Sequence, residues 1–194
     1  MGRQSRRKGP IVVWAVVAAL GAVAAAFARS LDVNDGLLGS IRYTARLAFP
    51  LFWLAWTASC WAARFPNPWT KAVLAHRAGL GVAFAVVHLL HLALIGLRAW
   101  HSRGESLAGR DWTELVGAMA YVFVIAMLVT SFPTLANRLS AKAWKRLHSV
   151  GGYWIAIVFT VSYGGRAVAD PFFWPQAAML VVGWVLKATR SIGS

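Results

Sequence analysis

Between Val73 and Leu97 the chain carries one permanently charged side chain, Arg77, and three histidines, His76, His88 and His91; the rest is almost purely apolar. A run of this length spans a hydrocarbon layer about 30 Å thick as a helix. Backbone N–H and C=O groups in hydrocarbon are satisfied only inside a helix or a closed barrel. The run lacks the polar–apolar alternation of a barrel strand. A membrane-crossing helix is therefore the expectation for this stretch, and it sets the terms for the rest of the chain.

Five further apolar runs follow the same logic, over residues 11–28, 41–63, 112–135, 144–163 and 172–188. The FPNP breaker at 65–68 closes the second span of the series. Pro133 lies near the end of the 112–135 run, and Gly164-Gly165 is expected to terminate the 144–163 run. The last run contains Pro175 and Gln176 and is the least regular. The first follows a basic leader with Arg3, Arg6, Arg7 and Lys8, a layout shared with signal peptides cleaved after small residues, here near Ala28. Its length favours an uncleaved helix. The expected architecture is an all-α integral membrane protein. It is a single six-transmembrane-helix bundle over residues 1–194, with spans of about 11–28, 41–63, 73–97, 112–135, 144–163 and 172–188.

Composition agrees. Charged residues make up 13% of the chain, where a soluble domain carries about 25%. An apolar share of 59% excludes disorder, and the single cysteine, Cys60, excludes a disulfide framework. Cys60 sits in an apolar run and reads as a small core or lipid-facing residue. A net charge of +14 would point to nucleic acid in a soluble protein. Here the charges fall between the apolar runs or near their ends, so they act as topology signals and contacts to anionic lipid. No nucleic-acid partner is expected.

The loops alternate in sign. The leader, the 64–77 and 136–146 segments and the C-terminal tail hold thirteen of the twenty Lys and Arg and no acid. The 29–46, 98–114 and 164–171 connections hold the other seven, together with all six acids: Asp32, Asp35, Glu105, Asp111, Glu114 and Asp170. By the positive-inside rule both termini are cytoplasmic, in a multi-pass plasma membrane.

That orientation sets the histidine depths. His76 opens the third span on the cytoplasmic side, and His148 lies near the start of the fifth, also cytoplasmic. His88 and His91 sit roughly 18 and 22 Å further along the axis than His76 and share a helix face. A histidine at a helix end, such as His76 or His148, is on its own most often an interfacial residue. Two imidazoles in hydrocarbon cost a few kcal/mol unless something is gained, although a helix-to-helix hydrogen bond would also compensate them. His101 falls in the outer loop and reads as solvated. A zinc centre needs about four ligands from Cys, His, Asp and Glu, and the spans contain one cysteine and, apart from Glu114 at the edge of the fourth, no acid. Haem needs only one or two axial side chains and an apolar slot, so the ligand inventory favours haem b, one or two per chain.

Eleven Trp, mostly near span ends, read as an aromatic belt. Gly79, Gly81 and Gly151-Gly152 are positions where helices approach closely or where a porphyrin face finds room. Spacing does not separate the two.

HRAGLGVAF with the histidines that follow it, and WKRLHSVGGYW at the start of the fifth span, resemble the ferric reductase-like transmembrane domain. The nearest branch is the bacterial haem-binding membrane subunit of the periplasmic methionine-sulfoxide reductase system. The resemblance covers nearly the whole chain. It implies two stacked b haems between the third and fifth helices, with His76 and His148 as the inner pair and His91, or His88, on the outer side. The family's outer partner on the fifth helix falls at Val161, which cannot ligate iron, leaving one haem, or an outer haem opposed by Tyr163 or His101. The inner third-helix position in that branch tends to be arginine, where this chain has His76 followed by Arg77.

The function expected is that of a b-type membrane cytochrome, the electron-transfer subunit of an oxidoreductase. No dinucleotide-binding motif follows a strand. Electrons must then come from a separate flavoprotein, such as a flavin reductase, or from quinol. They would leave to an outer-side redox acceptor protein. Arg77, Lys145 and Arg146 are placed to pair with haem propionates, or are ordinary positive-inside charge. The competing class is a non-redox transporter subunit or scaffold, for which the spans offer only scattered Ser and Thr.

Overall fold

The apolar runs become helices that begin and end where proline and side-chain caps dictate. A computed structural model of the chain describes residues 2–102 and 112–192, all of it helix and connecting turn. The elements are α1 (Gly2–Ala28), α2 (Val33–Arg64), α3 (Pro68–His101), α4 (Trp112–Val129), α5 (Pro133–Ala136), α6 (Ala141–Ala169), a 3₁₀ turn (Pro171–Phe173) and α7 (Trp174–Ile192). Most of the 98–114 connection, with Glu105 and Asp111, lies outside the described residues.

Several helices are longer than their apolar cores. α2 starts at Val33 rather than residue 41 because Asp32 caps it, its carboxylate accepting from the Asp35 N–H at 2.8 Å. α3 starts at Pro68 through a reciprocal box. Asn67 Oδ1 accepts from the Thr70 N–H at 2.9 Å, and Thr70 Oγ1 accepts from the Asn67 N–H at 3.1 Å. Pro68 fills the first helical position, where a missing N–H costs nothing. The FPNP segment therefore both ends α2 and launches α3.

Gly164-Gly165 does not end α6, which continues to Ala169. Glycine lowers helix stability by about 1 kcal/mol relative to Ala but keeps its N–H. The helix stops instead at Asp170, extended at φ −143° and ψ 114° as the residue before Pro171 must be. α4 likewise ends at Val129, short of residue 135, because Phe132 is extended ahead of Pro133. Pro175 is tolerated as the second residue of α7.

Two helical segments are long and apolar enough to cross a membrane, Gly9–Ala28 and Pro68–His101, and Val116–Val129 is a shorter apolar helix. α1 turns Val13, Trp14, Val17 and Leu20 outward, all more than half exposed.

The chain divides into two compact units, Met1–Phe52 with Ala78–Glu114, and Trp53–Arg77 with Leu115–Ser194. In the first, α2 and α3 run antiparallel: Phe52 packs on Phe84 with centroids 5.3 Å apart, and Arg98 Nε donates to Asn34 Oδ1 at 3.0 Å. α1 closes on α2 where Gly39 lies against Ala26. Ala19, Leu37, Ala48, Phe49, Ala83 and Val87 form its core.

In the second unit α4 and α6 are antiparallel neighbours, with Trp154 Nε1 donating to the Val116 carbonyl at 3.2 Å. α7 folds back along α6, and Trp184 Nε1 donates to Thr160 Oγ1 at 2.9 Å. α7 also lies along the end of α2, where Trp53 Nε1 donates to the Met179 carbonyl at 2.6 Å. Trp56, Cys60, Val124, Ile155, Phe159 and Leu180 are buried, so Cys60 is a core residue.

Gly183 makes the α2–α7 approach possible. A Cβ there would lie 2.7 Å from Trp56 Cζ3 and 3.1 Å from Trp53 Nε1, both on rigid buried rings. For Gly183→Ala, an overpacking cost of about 1–3 kcal/mol outweighs a helix-propensity gain of roughly 1 kcal/mol. Gly164→Ala meets no atom within 4 Å and keeps only the gain. Thermal unfolding of the two variants is expected to shift in opposite directions, Gly183→Ala downward by a few degrees; an unchanged or raised midpoint for Gly183→Ala would contradict the close approach.

Candidate functional site

The four histidines expected to bind a cofactor fall two to each unit. His88 and His91 belong to the first, on α3, and His76 and His148 to the second, on α3 and α6.

His91 is held by α2. Its Nδ1 lies 3.0 Å from the Ile41 carbonyl oxygen and 3.2 Å from Thr44 Oγ1. A carbonyl can only accept, so Nδ1 carries the proton. Thr44 supports the same assignment. Its own hydroxyl proton goes to the Ser40 carbonyl at 2.8 Å, which leaves its oxygen to accept from His91. Ser40 in turn donates to the Gly36 carbonyl at 2.7 Å, and both hydroxyl residues are fully buried. The proton on Nδ1 leaves the lone pair on Nε2. A metal-ligating histidine is oriented in this way, with the other ring N–H given to a carbonyl.

His88 stands in an aromatic column beside it. Its ring lies parallel to His91 within 14° at a centroid distance of 5.3 Å, and Phe84 stacks on its far side at 5.1 Å. Parallel imidazoles do not converge on one small ion. Among the described residues no group of three or more His, Cys, Asp or Glu could hold a metal ion.

In the second unit His148 is tied to the end of α4. Its Nε2 lies 3.2 Å from Thr130 Oγ1, and its ring stacks on Trp144 at 4.1 Å. Thr130 gives its proton to the Ala126 carbonyl at 2.7 Å, so its oxygen accepts and His148 carries the proton on Nε2. Trp144 Nε1 donates to the Thr130 carbonyl at 3.0 Å, completing a clasp between α4 and α6. Axial ligation through His148 Nε2 therefore requires the ring to leave Thr130. His76 has a buried Nδ1 with no hydrogen-bond partner among the described residues, a polar atom whose burial is uncompensated. Arg77 next to it donates from Nε to the Ala55 carbonyl at 3.1 Å. Lys145 and Arg146 are exposed.

His101 is exposed at the end of α3. Val161 is 49% exposed and so faces away from the interior of its unit. Tyr163 is buried and lies parallel to Phe159 at 5.9 Å. Of the glycines, Gly81 has open space where a Cβ would stand, and Gly151 is filled by Met127, whose sulfur would lie 3.0 Å away. Thr44, Thr130 and the Ile41 carbonyl are the residues that sequence reasoning missed. Ser40 and Thr44 were visible as an i, i+4 polar pair, but a backbone acceptor leaves no trace in composition. No family model matches the chain, and no curated protein matches it.

Proposed function

We propose that the chain is a b-type haem membrane cytochrome of six spans, with both termini cytoplasmic, carrying electrons from a flavoprotein or quinol to an outer-side acceptor. The observation that carries this reading is the His91 imidazole, whose Nδ1–H is held by the Ile41 carbonyl so that Nε2 keeps its lone pair. Bound haem b would supply a one-electron iron centre whose potential follows axial ligation, burial and nearby charge.

The protein's own part is to orient and to exclude water. Thr44 and Ile41 fix the His91 ring, while His88 stacks on it and Phe84 stacks in turn on His88. His76, with its orphaned buried Nδ1, is the candidate for a second ligand level, with His148 once released from Thr130. Outward-facing Val13, Trp14, Val17 and Leu20 on α1 would form a large bare apolar face in water, and a bilayer is the solvent that fits them. The short motifs shared with ferric reductase-like transmembrane domains support the same reading, and a multi-pass plasma (bacterial inner) membrane location follows from it.

The test is spectroscopic. Detergent-extracted protein from haem-sufficient cells is expected to be red, with a dithionite-reducible b-type spectrum. A colourless extract that takes up no added haemin would overturn the assignment.

A further inference from the structure

The connection from α4 to α6 is a run of hydrogen-bonded turns. Ser131 and Phe132 donate to the Leu128 and Val129 carbonyls at 3.0 and 3.3 Å, and Ala136 and Asn137 donate to Phe132 and Pro133 at 2.9 and 3.0 Å. Arg138 and Leu139 follow, donating to Leu135 and Ala136 at 3.1 Å each. Ser140 then caps α6, its hydroxyl accepting from the Ala143 N–H at 3.1 Å. The backbone of this corner thus finds its partners locally, whereas its side chains turn outward. Phe132, Leu135, Leu139 and Trp144 are all exposed. So are Arg138, Lys142, Lys145 and Arg146, and the last three stand at i, i+3 and i+4 of α6, on one face. The segment 115–169 has no acid. Asp170 closes the far end of α6, roughly 40 Å along the axis from Lys142.

We propose that this corner, residues 131–146, is a docking surface for the anionic headgroups of a bilayer. Water serves its exposed apolar side chains poorly, and hydrocarbon serves its cations poorly. The headgroup layer serves both. Trp settles at that depth, and Lys and Arg reach lipid phosphates on long apolar stems. About four or more basic residues next to a membrane helix recruit anionic lipid. A backbone whose N–H groups are already bonded enters this layer without losing water that it depends on. Trp144 is held ready, its Nε1 donating to the Thr130 carbonyl at 3.0 Å. A free phosphate would engage the cations and leave the apolar side chains in water. An acidic soluble protein would have to bring an apolar patch of its own. The topology proposed above puts the corner on the cytoplasmic side. The inference rests on that membrane reading but needs no haem.

The experiment titrates phosphatidylglycerol or phosphatidylcholine into the full chain in detergent and counts bound lipid by native mass spectrometry. Phosphatidylglycerol is expected to bind in preference, and the preference to fall on the order of tenfold when Lys142→Gln and Lys145→Gln are combined. Combining Arg64→Gln and Lys71→Gln removes as many exposed cations from the other basic corner and should leave the preference in place. Leu139→Ser keeps every charge and should still weaken binding, because the surface is partly apolar. In nanodiscs, phosphatidylglycerol should slow backbone hydrogen exchange over residues 131–146 of the wild type, and not of the Lys142–Lys145 double variant. Equal losses in the two double variants, which diffuse charge would give, would overturn the corner as the site. So would a wild type with no preference. Inorganic phosphate or polyglutamate slowing exchange as much in phosphatidylcholine discs would overturn the lipid as its occupant. Protein that stays soluble without detergent and enters no disc would overturn the membrane reading itself, which a missing lipid preference alone would not.

Discussion

Replacing His91 by Ala is expected to lower haem b bound per polypeptide by more than tenfold, while His101→Ala leaves it unchanged. His91 is the embedded histidine whose orientation already suits an axial ligand, with Nδ1–H on the Ile41 carbonyl and Thr44 behind it. Loss of a partner that merely orients a ligand costs about 10–100-fold in affinity, so loss of the ligand itself costs at least that. Thr44→Val, which removes one acceptor and leaves Ile41, should sit between the two. His148→Ala is expected to cost less haem than His91→Ala, because its Nε2 is spent on Thr130. On the resemblance to ferric reductase-like domains, a second outer imidazole would be needed at Val161, which is exposed. A haem on His91 is therefore expected to be high-spin in part and to bind carbon monoxide. Haem quantified per chain across these variants checks the order. A His91→Ala protein with full haem and an unaltered spectrum would remove His91 from the site.

The second large effect is all-or-none. A reporter fused at the C-terminus is expected to be active only in the cytoplasm, and one fused near Glu105 only outside. The cause is the loop charge asymmetry, with thirteen Lys and Arg and no acid on one side against seven Arg and six acids on the other. Among the described residues α2 and α6 are less continuously apolar than Gly9–Ala28 and Pro68–His101, so these fusions test the very spans that need it. The opposite compartment for either reporter would end the six-span arrangement.

Helical content was legible because apolar runs long enough to cross a bilayer leave the backbone few alternatives, and two of them stand as the long apolar segments Gly9–Ala28 and Pro68–His101. Boundaries were less legible, and for one recurring reason. Proline and capping side chains set them, and hydropathy alone does not show where they act. Asp32 and Asn67 lengthen α2 and α3 at their starts, and Pro171 rather than Gly164-Gly165 stops α6. At the site, residue types were visible but their engagements were not. The sequence separates His91 from His148 by depth, one far along an apolar run and one near a helix start, but not by what each ring engages. One gives its Nδ1 proton to a backbone oxygen and the other its Nε2 proton to a threonine. That difference depends on the rotation of α2 against α3 and of α4 against α6, which no local pattern encodes.

The reciprocal bonds between Asn67 and Thr70 bear on how the chain is born. Phe65 donates back to Trp61 at 2.8 Å, Thr70 Oγ1 donates to the Phe65 carbonyl at 2.7 Å, and Lys71 donates to Asn67 at 3.1 Å. The corner thus meets its polar demands from within half a dozen residues. Such a corner needs no partner made later in synthesis, and loops of about ten residues close in roughly 10–100 ns, far faster than the ribosome adds the next amino acid. In the membrane arrangement proposed above, α2 and α3 would leave the insertion machinery already joined as a hairpin, before α6 or α7 exists.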